Sequence, residues 1–579
     1  MSRAGKAIRA VALASLLPTA VLAQDRREIA VAFQLERQGN YEEAAREYRR
    51  MLDRDPAAVL ALFGLERVLE SLNRLGEIQP YIDSTLTRVP GDRTVRALQL
   101  RVLATLGRMD ALDAAARAWI AADPATPDPY REWAFALAQR GEVLRARQVL
   151  EQGNERLGAS ALLQELAQIS VVAGDWVRAA RYWHAAAMAD PDLGAAAGMA
   201  LTQAPPPSRA GVLDVLLRDP GDAVSRRIGA DVLVAWGEPE QAWVLLDDNL
   251  PQGRRLAVDA LRRFADRARV AGTPPHHRVR GFALEKVARL ARGAEAQQAR
   301  IDAARAFADA GDRGAAERML EQIAADSAAA PASAIAAMAT LIAVEADAGR
   351  VDRAERRLDA WAGRLAAEDV TALRERIAWA WMRDGDLMRA ERVVAPDSTL
   401  GTLAVRGWIA LYRGDLAGAG ERFREAGPFT GTRTAATDRT AMLALIQRIE
   451  ADSAPALGRA LLRLAVGDTA RAIGQLAETA HGLPGRGGRA EVLAFVGRVA
   501  AEVGDARAPD LLAQALAADS AGPSAPVAAF TLAQLAARAG RAGEAVARLE
   551  NLILTYPESA VVPQARRLLD QVRGAIPKS

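Results

Sequence analysis

The chain has 579 residues, with 75 Lys and Arg against 72 Asp and Glu, and half of its residues are hydrophobic while only 5% are aromatic. Long disordered stretches are excluded by this apolar content, and disulfides, thiolate metal sites and cysteine nucleophiles are excluded because there is no cysteine. Basic residues are interspersed with acidic ones, so no basic block indicates nucleic-acid binding. A composition rich in Ala, Leu, Arg and Glu favours helix throughout.

Residues 1–23 have the features of a secretory signal peptide. Three basic residues lie among the first nine, an apolar stretch covers residues 10–20, and residues 21–23 (Val-Leu-Ala) form a cleavage site. The apolar run is shorter than the roughly 18 to 20 residues that a membrane span requires, so cleavage is preferred over an anchor. Removal leaves 75 − 3 = 72 basic residues against 72 acidic ones. We therefore predict an exported protein without a membrane span after cleavage, either periplasmic or held at the outer membrane by partners.

A helical pattern begins after the cleavage site and recurs along the chain. In the first unit we predict a helix over about residues 26–38, a turn at Gly39-Asn40, a second helix to Arg54 and a stop at Pro56. The same glycine-to-proline separation of 17 residues recurs at four later glycines. These are Gly107, Gly174, Gly467 and Gly540. The predicted turns Gly39, Asn73, Gly107 and Gly141 are 34 residues apart, and Gly174 follows after 33.

Around these turns the sequence resembles the tetratricopeptide repeat (TPR) family, whose period is 34 residues. In the second helix of each pair, here called helix B, the family's small residue falls at Ala44, Ala146 and Ala179. The family's aromatic residue that packs against the next repeat falls at Tyr48 and Trp183. The closing proline falls at Pro56, Pro90, Pro124 and Pro191. Four departures are Asn73 for the glycine, Ile78 and Leu112 for the small residue, and Gly158 for the closing proline. The resemblance implies an all-α solenoid of about fourteen stacked antiparallel helix pairs.

Five segments are predicted along the chain. The signal peptide (1–23) is followed by a regular TPR block (24–200), degenerate helical repeats (201–310), TPR-like repeats (311–430) and C-terminal TPR-like repeats with a capping helix (431–579). In the degenerate segment the prolines at 205–207 precede a predicted helix over Ser208–Leu217, and Gly272–His277 is predicted as a loop. Gly427–Asp438 is predicted as the longest non-helical stretch and a flexible joint.

No arrangement of residues indicates catalysis, a metal site or a cofactor. The four histidines (His184, His276, His277 and His481) lack a zinc-ligand spacing, and the glycine-rich run 482–488 lacks the ending of a phosphate-binding loop. Most tryptophans fall in repeat helices and are expected in the core. Trp379 and Trp381 are two apart on one helix and cannot share a face, so one of them is expected at a surface or groove.

The TPR resemblance places partner binding on the face lined by the first helix of each pair, here called helix A. The family's groove positions correspond to a row of phenyl and guanidinium groups in the regular block. They are Phe33, Arg37, Phe63, Arg67, Arg101, Arg131 and Phe135. Such a row would suit an extended peptide, with arginines pairing to its carboxylates. The alternative is that these arginines are solvated or paired to Glu36, Glu70 and Asp128.

The sequence thus predicts a non-enzymatic scaffold that binds protein or peptide partners in the cell envelope. The last unit, with Tyr556-Pro557-Glu558-Ser559 and a closing helix, resembles TPR units of bacterial envelope-assembly proteins. Two alternatives stay open. One is an accessory of polysaccharide export, and the other is an enzyme whose site lies in the irregular region 200–310.

Overall fold

The computed structural model describes residues 17–158, 160–326 and 331–575. Within these ranges the chain forms 32 α-helices and no β-strand, which confirms the all-α solenoid. The fourteen predicted pairs would contain 28 helices, so the structure has slightly more than predicted. The chain divides into two compact units, Met1–Val279 and Arg280–Ser579, and each is described by itself. Most of the predicted signal peptide lies outside the described residues.

The first unit contains fifteen complete helices and the start of α16, together with short 3₁₀ helices at Leu75–Ile78 and Pro191–Leu193. The helices are α1 (Leu17–Arg37), α2 (Tyr41–Arg54), α3 (Val59–Ser71), α4 (Gln79–Arg88), α5 (Arg93–Thr105), α6 (Met109–Ala122), α7 (Asp128–Gln139), α8 (Val143–Leu157), α9 (Leu163–Val172), α10 (Trp176–Ala189), α11 (Gly194–Leu201), α12 (Pro206–Leu216), α13 (Ala223–Trp236), α14 (Pro239–Asp247), α15 (Arg254–Ala271) and α16 (Pro274–Leu290).

The second unit continues with helices of similar length. They are α17 (Gly293–Asp309), α18 (Arg313–Ala325), α19 (Pro331–Asp347), α20 (Val351–Trp361), α21 (Ala367–Arg383), α22 (Leu387–Val394), α23 (Leu400–Arg413), α24 (Leu416–Ala426), α25 (Arg433–Ile446), α26 (Pro455–Ala465), α27 (Thr469–Gly482), α28 (Arg486–Glu502), α29 (Ala508–Ala518), α30 (Ala525–Arg538), α31 (Ala542–Thr555) and α32 (Val562–Ala575).

The turns inside helix pairs share a left-handed residue, as the sequence predicts. Gly39, Gly107, Gly141 and Gly174 have φ angles of 80°, 70°, 80° and 73°. Asn73, which replaces the glycine in the second repeat, has a φ of 55° and is the one non-glycine residue with positive φ in the part of the chain that the structure describes. Asparagine tolerates this conformation because its short polar side chain bonds locally. The repeat register is therefore confirmed.

Helix pairs pack through the small and aromatic residues that the pattern identifies. Ala44, Ala146 and Ala179 are fully buried. The ring of Tyr48 in α2 is buried and lies directly over Gly64 of α3, so closely that a Cβ atom at Gly64 would overlap the ring. Because the glycine has no side chain, the aromatic ring reaches the backbone of the next helix.

Ring-on-glycine contacts recur in both units. In the first unit Tyr130 packs on Gly153, where a Cβ atom would lie 2.5 Å from the ring. In the second unit Phe307 packs on Gly281 and Phe423 packs on Gly407 with the same separation of 2.5 Å. None of these glycine partners follows from the repeat pattern.

One of the two predictions in the irregular segment is wrong. The helix predicted at Ser208–Leu217 is present as α12 (Pro206–Leu216), but the loop predicted at Gly272–His277 is not, because α16 begins at Pro274 and only residues 272 and 273 separate it from α15. Consecutive prolines indicate a break in a helix, but proline also fits the first turn of a helix. The N–H groups of that turn have no acceptor within the helix, so the N–H that proline lacks is not needed there. His276 therefore lies in a helix rather than in a loop.

The predicted flexible joint at Gly427–Asp438 is also wrong. Only residues 427–432 are non-helical, and the gap at 447–454 is longer. The guanidinium group of Arg439, buried in α25, donates to the carbonyl oxygens of Thr430 and Gly427 at 3.0 and 2.6 Å. These bonds fix the loop between α24 and α25.

Candidate partner-binding face

The predicted aromatic residues of the regular block lie on helices α1, α3 and α7 of the first unit. The side chains of Phe33 and Phe135 are 48% and 57% exposed, whereas Phe63 is half-buried against the core. Large exposed apolar side chains on rigid helices are typical anchors for a partner. The structure therefore presents two of the three predicted rings to solvent.

Three of the four predicted arginines are paired across neighbouring A helices. Arg67 of α3 donates through Nε and Nη2 to Glu36 of α1 at 2.8 and 2.9 Å. Arg101 of α5 binds Glu66 of α3 at 3.0 and 2.7 Å. Each guanidinium group thus neutralises a carboxylate on the preceding A helix.

The same ladder continues toward α9. Arg131 of α7 binds Glu165 of α9 at 2.6 Å and Asp128 of its own helix at 3.0 Å. Arg93 of α5 also donates to Asp128 at 3.0 Å. The pairings to Glu36 and Asp128 were anticipated. Glu70 makes no ion pair among the described residues, so its predicted pairing is wrong. Arg37 is exposed and makes no ion pair among them either.

Tyr48 joins the ladder to the interior of the unit. Its hydroxyl donates to Glu36 Oε2 at 3.1 Å, so Glu36 connects α1, α2 and α3. The hydrogen bond from Arg67 is the main cause that lowers the pKa of Glu36, while burial and the neighbouring carboxylate raise the pKa of Tyr48 to about 12. The ionised carboxylate is therefore the form that this cluster stabilises.

A Ser, His and Asp cluster exists in the first unit, which the sequence analysis did not foresee. His184 Nδ1 lies 2.6 Å from Ser225 Oγ and 3.2 Å from Asp222 Oδ2. Asp222 caps α13 by accepting from the amides of Val224 and Ser225. In a nucleophilic triad the serine and the aspartate bind opposite ring nitrogens, but here both face the same nitrogen. The arrangement therefore fits a helix cap better than a catalytic centre.

The remaining candidate residues have structural contacts. His276 is buried, shares a 2.6 Å hydrogen bond with Thr273 Oγ1 and lies 2.9 Å from the carbonyl oxygen of Val234. Trp381 is buried and donates to Glu355 at 3.0 Å, whereas Trp379 is half-buried against Trp408, with ring centroids 6.0 Å apart. In the glycine-rich run 482–488, Gly482 ends α27, residues 483–485 form the link, and residues 486–488 begin α28.

Two further features concern metal binding and membrane insertion within the described ranges. No group of three or more potential metal ligands lies close enough together there to hold an ion. No helix in those ranges is both long and apolar enough to cross a membrane.

No protein-family model matches the chain, and no curated protein matches it either. Solved repeat proteins align over most of its length. The pentatricopeptide repeat protein PPR10, in complex with an 18-nt psaJ RNA element, is 15% identical with a TM-score of 0.44 and covers 98% of this chain and 93% of that chain.

Two further solved structures give lower scores. Naa15/Naa10 bound to HypK-THB is 14% identical with a TM-score of 0.25, covering 94% of this chain and 90% of that chain. The APC/C hetero-tetramer Cut9-Hcn1 is 12% identical with a TM-score of 0.24, covering 96% and 97%. Because these scores are below 0.5, the assignment to a TPR-like α-solenoid depends on the helix pairs and turns described above.

Proposed function

We propose that the protein is a non-enzymatic scaffold of the bacterial cell envelope, which binds a protein or peptide partner on the helix-A face of its first unit. The observation that carries this proposal is the exposure of Phe33 and Phe135 on that face, at 48% and 57%. Both rings lie on helices that packing already fixes, so little conformational entropy is lost when a partner covers them.

The arginine ladder gives the partner-binding face its electrostatic character. Since Arg67, Arg101 and Arg131 already bind carboxylates, a partner's carboxylate would have to displace Glu36, Glu66 or Glu165. The ladder therefore contributes charge-balanced, polar ion pairs on the same helices. Arg37, which has no such carboxylate, is the group of the row that meets an acidic residue of the partner.

The envelope location is supported by the sequence of residues 1–23, whose charge and apolar pattern match an exported precursor. Amino-terminal sequencing of the protein from the periplasmic fraction tests it. A mature chain beginning near residue 24 is expected, whereas an intact Met1 in the cytoplasm would contradict export.

Site-specific photo-crosslinking tests the partner-binding face. A benzophenone amino acid at position 33 or 135 should give the same crosslinked protein, and a probe at Met188 should not. Met188 is a matched control because it is 53% exposed but lies on α10, the second helix of its pair. A Phe33→Ser/Phe135→Ser variant should reduce the product of a probe at position 37 at least tenfold.

Two outcomes oppose the proposal. If the control position gives the same product with equal yield, the partner does not select the helix-A face. If glycan copurifies and no protein is crosslinked, the polysaccharide-export alternative gains support instead. Circular dichroism of the double serine variant should match that of the parent, since both positions are at the surface.

A further inference from the structure

Helix α25 interrupts the alternation of helices in the second unit and encloses a cleft. Helix α23 packs on α26, and α28 packs on α30, while the intervening α25 contacts α24 and α28. The cleft between α25 and these A helices has a volume of about 760 Å³. Small-molecule sites usually measure about 300 to 1,000 Å³, so its size is that of a ligand pocket.

The walls of the cleft are apolar and aromatic. Trp408 and Tyr412 of α23 and Phe495 of α28 face Met442 and Leu445 of α25. Trp408 is half-buried, which leaves part of its ring open to the cleft. An apolar ligand would be removed from water here, which favours its binding.

The aromatic wall is rigid. The Trp408 ring packs edge-on against Phe423, with centroids 5.3 Å apart, and lies against Tyr412 at 5.8 Å. Phe423 is itself fixed over Gly407. A wall with these contacts does not have to reorganise when a ligand enters.

One guanidinium group in the cleft makes no ion pair within the part of the chain that the structure describes. Arg498 of α28 is half-buried, its Nε atom is closed off from solvent, and neither a hydrogen bond nor an ion pair engages its side chain among the described residues. The other lining arginine, Arg448, already faces Asp519 at 3.4 Å. A donor atom that is closed off from water without a partner is unfavourable, and an anionic ligand atom at Arg498 would offset that cost.

The acidic residues of the cleft limit the charge of such a ligand. Glu491 accepts from the Ser524 amide at 3.2 Å and from its hydroxyl, so it is already engaged. Asp438 and Glu502 are exposed at the opening. Their charges repel a polyanion such as nucleic acid. A ligand with a single anionic group can place that group beside the Arg498 guanidinium, which attracts it.

We propose that this cleft binds a small amphiphilic monoanion, a carboxylate with an apolar acyl or aromatic body. The body lies between Trp408, Phe495 and Met442, and the carboxylate pairs with Arg498. The Tyr412 hydroxyl, which has no hydrogen-bond partner within the described ranges, is a second donor at the same wall. This activity is separate from the docking of a protein partner on the first unit.

Equilibrium dialysis of the full chain with dodecanoate and with naphthalene-2-carboxylate tests the proposal and distinguishes an acyl body from an aromatic one. Saturable binding of about one equivalent of at least one probe is expected. Arg498→Met should weaken that binding about ten- to a hundredfold, which corresponds to the loss of one charge-assisted hydrogen bond. Dodecanol, which lacks the charge, should bind the variant and the parent equally.

Two tryptophan substitutions on α25 supply a test independent of the arginine. Ala441 is exposed but lines the cleft, so Ala441→Trp should fill it and abolish binding. Thr440 is exposed on the same helix outside the cleft, so Thr440→Trp should bind like the parent. Arg489→Met, on α28 outside the cleft, is the charge control.

The proposal is overturned if the parent binds neither carboxylate saturably, or if Ala441→Trp binds as well as Thr440→Trp. Equal affinity of Arg498→Met and Arg489→Met would also overturn it, because the pairing at Arg498 would then contribute nothing. Thermal unfolding of each variant shows whether the fold is retained. The affinities of Ala441→Trp and Thr440→Trp, and those of Arg498→Met and Arg489→Met, are compared between variants of equal stability.

Discussion

A methyl group at Gly64 should strain the contact between the Tyr48 ring of α2 and the backbone of α3, which joins the first two helix pairs. Even the most distant of the three nearest Tyr48 ring atoms, Cε2, would lie 2.8 Å from the new Cβ atom, where ordinary contacts begin at 3.4 Å. Neither the ring nor the backbone of α3 can move freely, because Tyr48 is buried and its hydroxyl bonds Glu36 at 3.1 Å. Gly64→Ala therefore overpacks the core.

The size of the effect follows from three contributions. Overpacking costs about 1 to 3 kcal/mol, and displacement of the Tyr48 hydroxyl removes a hydrogen bond worth about 1 kcal/mol. Alanine regains about 1 kcal/mol of helix propensity over glycine. The net destabilisation is about 1 to 3 kcal/mol.

Native-state hydrogen exchange is the suitable assay, because a repeat array need not unfold in two states. Protection of the slow amides of α2 and α3 should fall about five- to 150-fold in Gly64→Ala, at 1.36 kcal/mol for each factor of ten. The destabilisation of the Gly64→Ala/Tyr48→Leu double variant should be smaller than the sum for the two single variants by at least about 1 kcal/mol, because the double variant lacks the Tyr48 ring with which the new methyl group would clash.

Gly420→Ala in α24 is the matched control, because its methyl group would meet nothing closer than Ile446 Cδ1 at 3.5 Å. That variant should gain up to about 1 kcal/mol of local stability. If Gly64→Ala raised protection as the control does, the close contact of ring and backbone would not limit this packing.

Acid should weaken the packing of α1 against α3. The ionised Glu36 stabilises this packing fully above its ordinary pKa of 4.5, and the stabilisation is lost as the pH falls through its lowered pKa. Arg67→Met should therefore reduce the pH dependence of local stability, measured by hydrogen exchange between about pH 3 and 6. Glu345, a buried residue of α19 that pairs with Arg353 and Arg357, has the opposite sign. Burial is the main cause that raises its pKa above 4.5, so local stability should fall as the pH rises through the raised pKa, and Glu345→Gln should remove that slope. Arg439→Met should leave two carbonyl groups of the loop at 427–432 unpaired and increase proteolysis near that loop about tenfold or more. Asn73→Ala should cost about 1 kcal/mol in the α3–α4 turn and Asn73→Gly should not, as exchange in α3 would show.

Matched variants separate these effects from general damage. Arg46→Met, on an exposed residue of α2, should keep the loss of stability in acid, and Glu368→Gln, exposed on α21, should keep the fall in stability with rising pH that Glu345 causes. Arg433→Met removes an exposed arginine from the same helix as Arg439 and should leave proteolysis unchanged. Equal behaviour within any of these pairs would contradict the corresponding assignment.

Positions where the backbone sets the requirement were predictable from the sequence. The left-handed turns follow from glycine and asparagine at fixed spacing, because few other residues adopt that conformation. Tyr48 was also recognised as a wedge, yet its partner Gly64 was not, since the contact depends on how two helices cross. The paired prolines at 274 and 275 misled for a related reason, because proline both ends helices and begins them.

The partner-binding face shows where sequence reasoning ends. Its aromatic residues were found, but the ion pairs of its arginines were only partly assigned. Glu66 and Glu70 lie one turn apart on α3, and only the rotation of α3 against α5 decides that Arg101 bonds the first. The cleft at α25 gave no signal, because a helix inserted between repeats has no counterpart in the repeating pattern.

Two kinds of contact between helices of the first unit differ in their mechanical response. Ring-on-glycine contacts are buried and insensitive to ions, whereas the Arg–Glu ladder of the first unit is partly exposed, with Arg67 at 49% and Glu36 at 16%. Salt at 1 M shortens the Debye length to about 3 Å and weakens exposed pairs. The helix-A edge of this unit should therefore become more compliant as ionic strength rises, bending about its aromatic contacts while its helices stay intact.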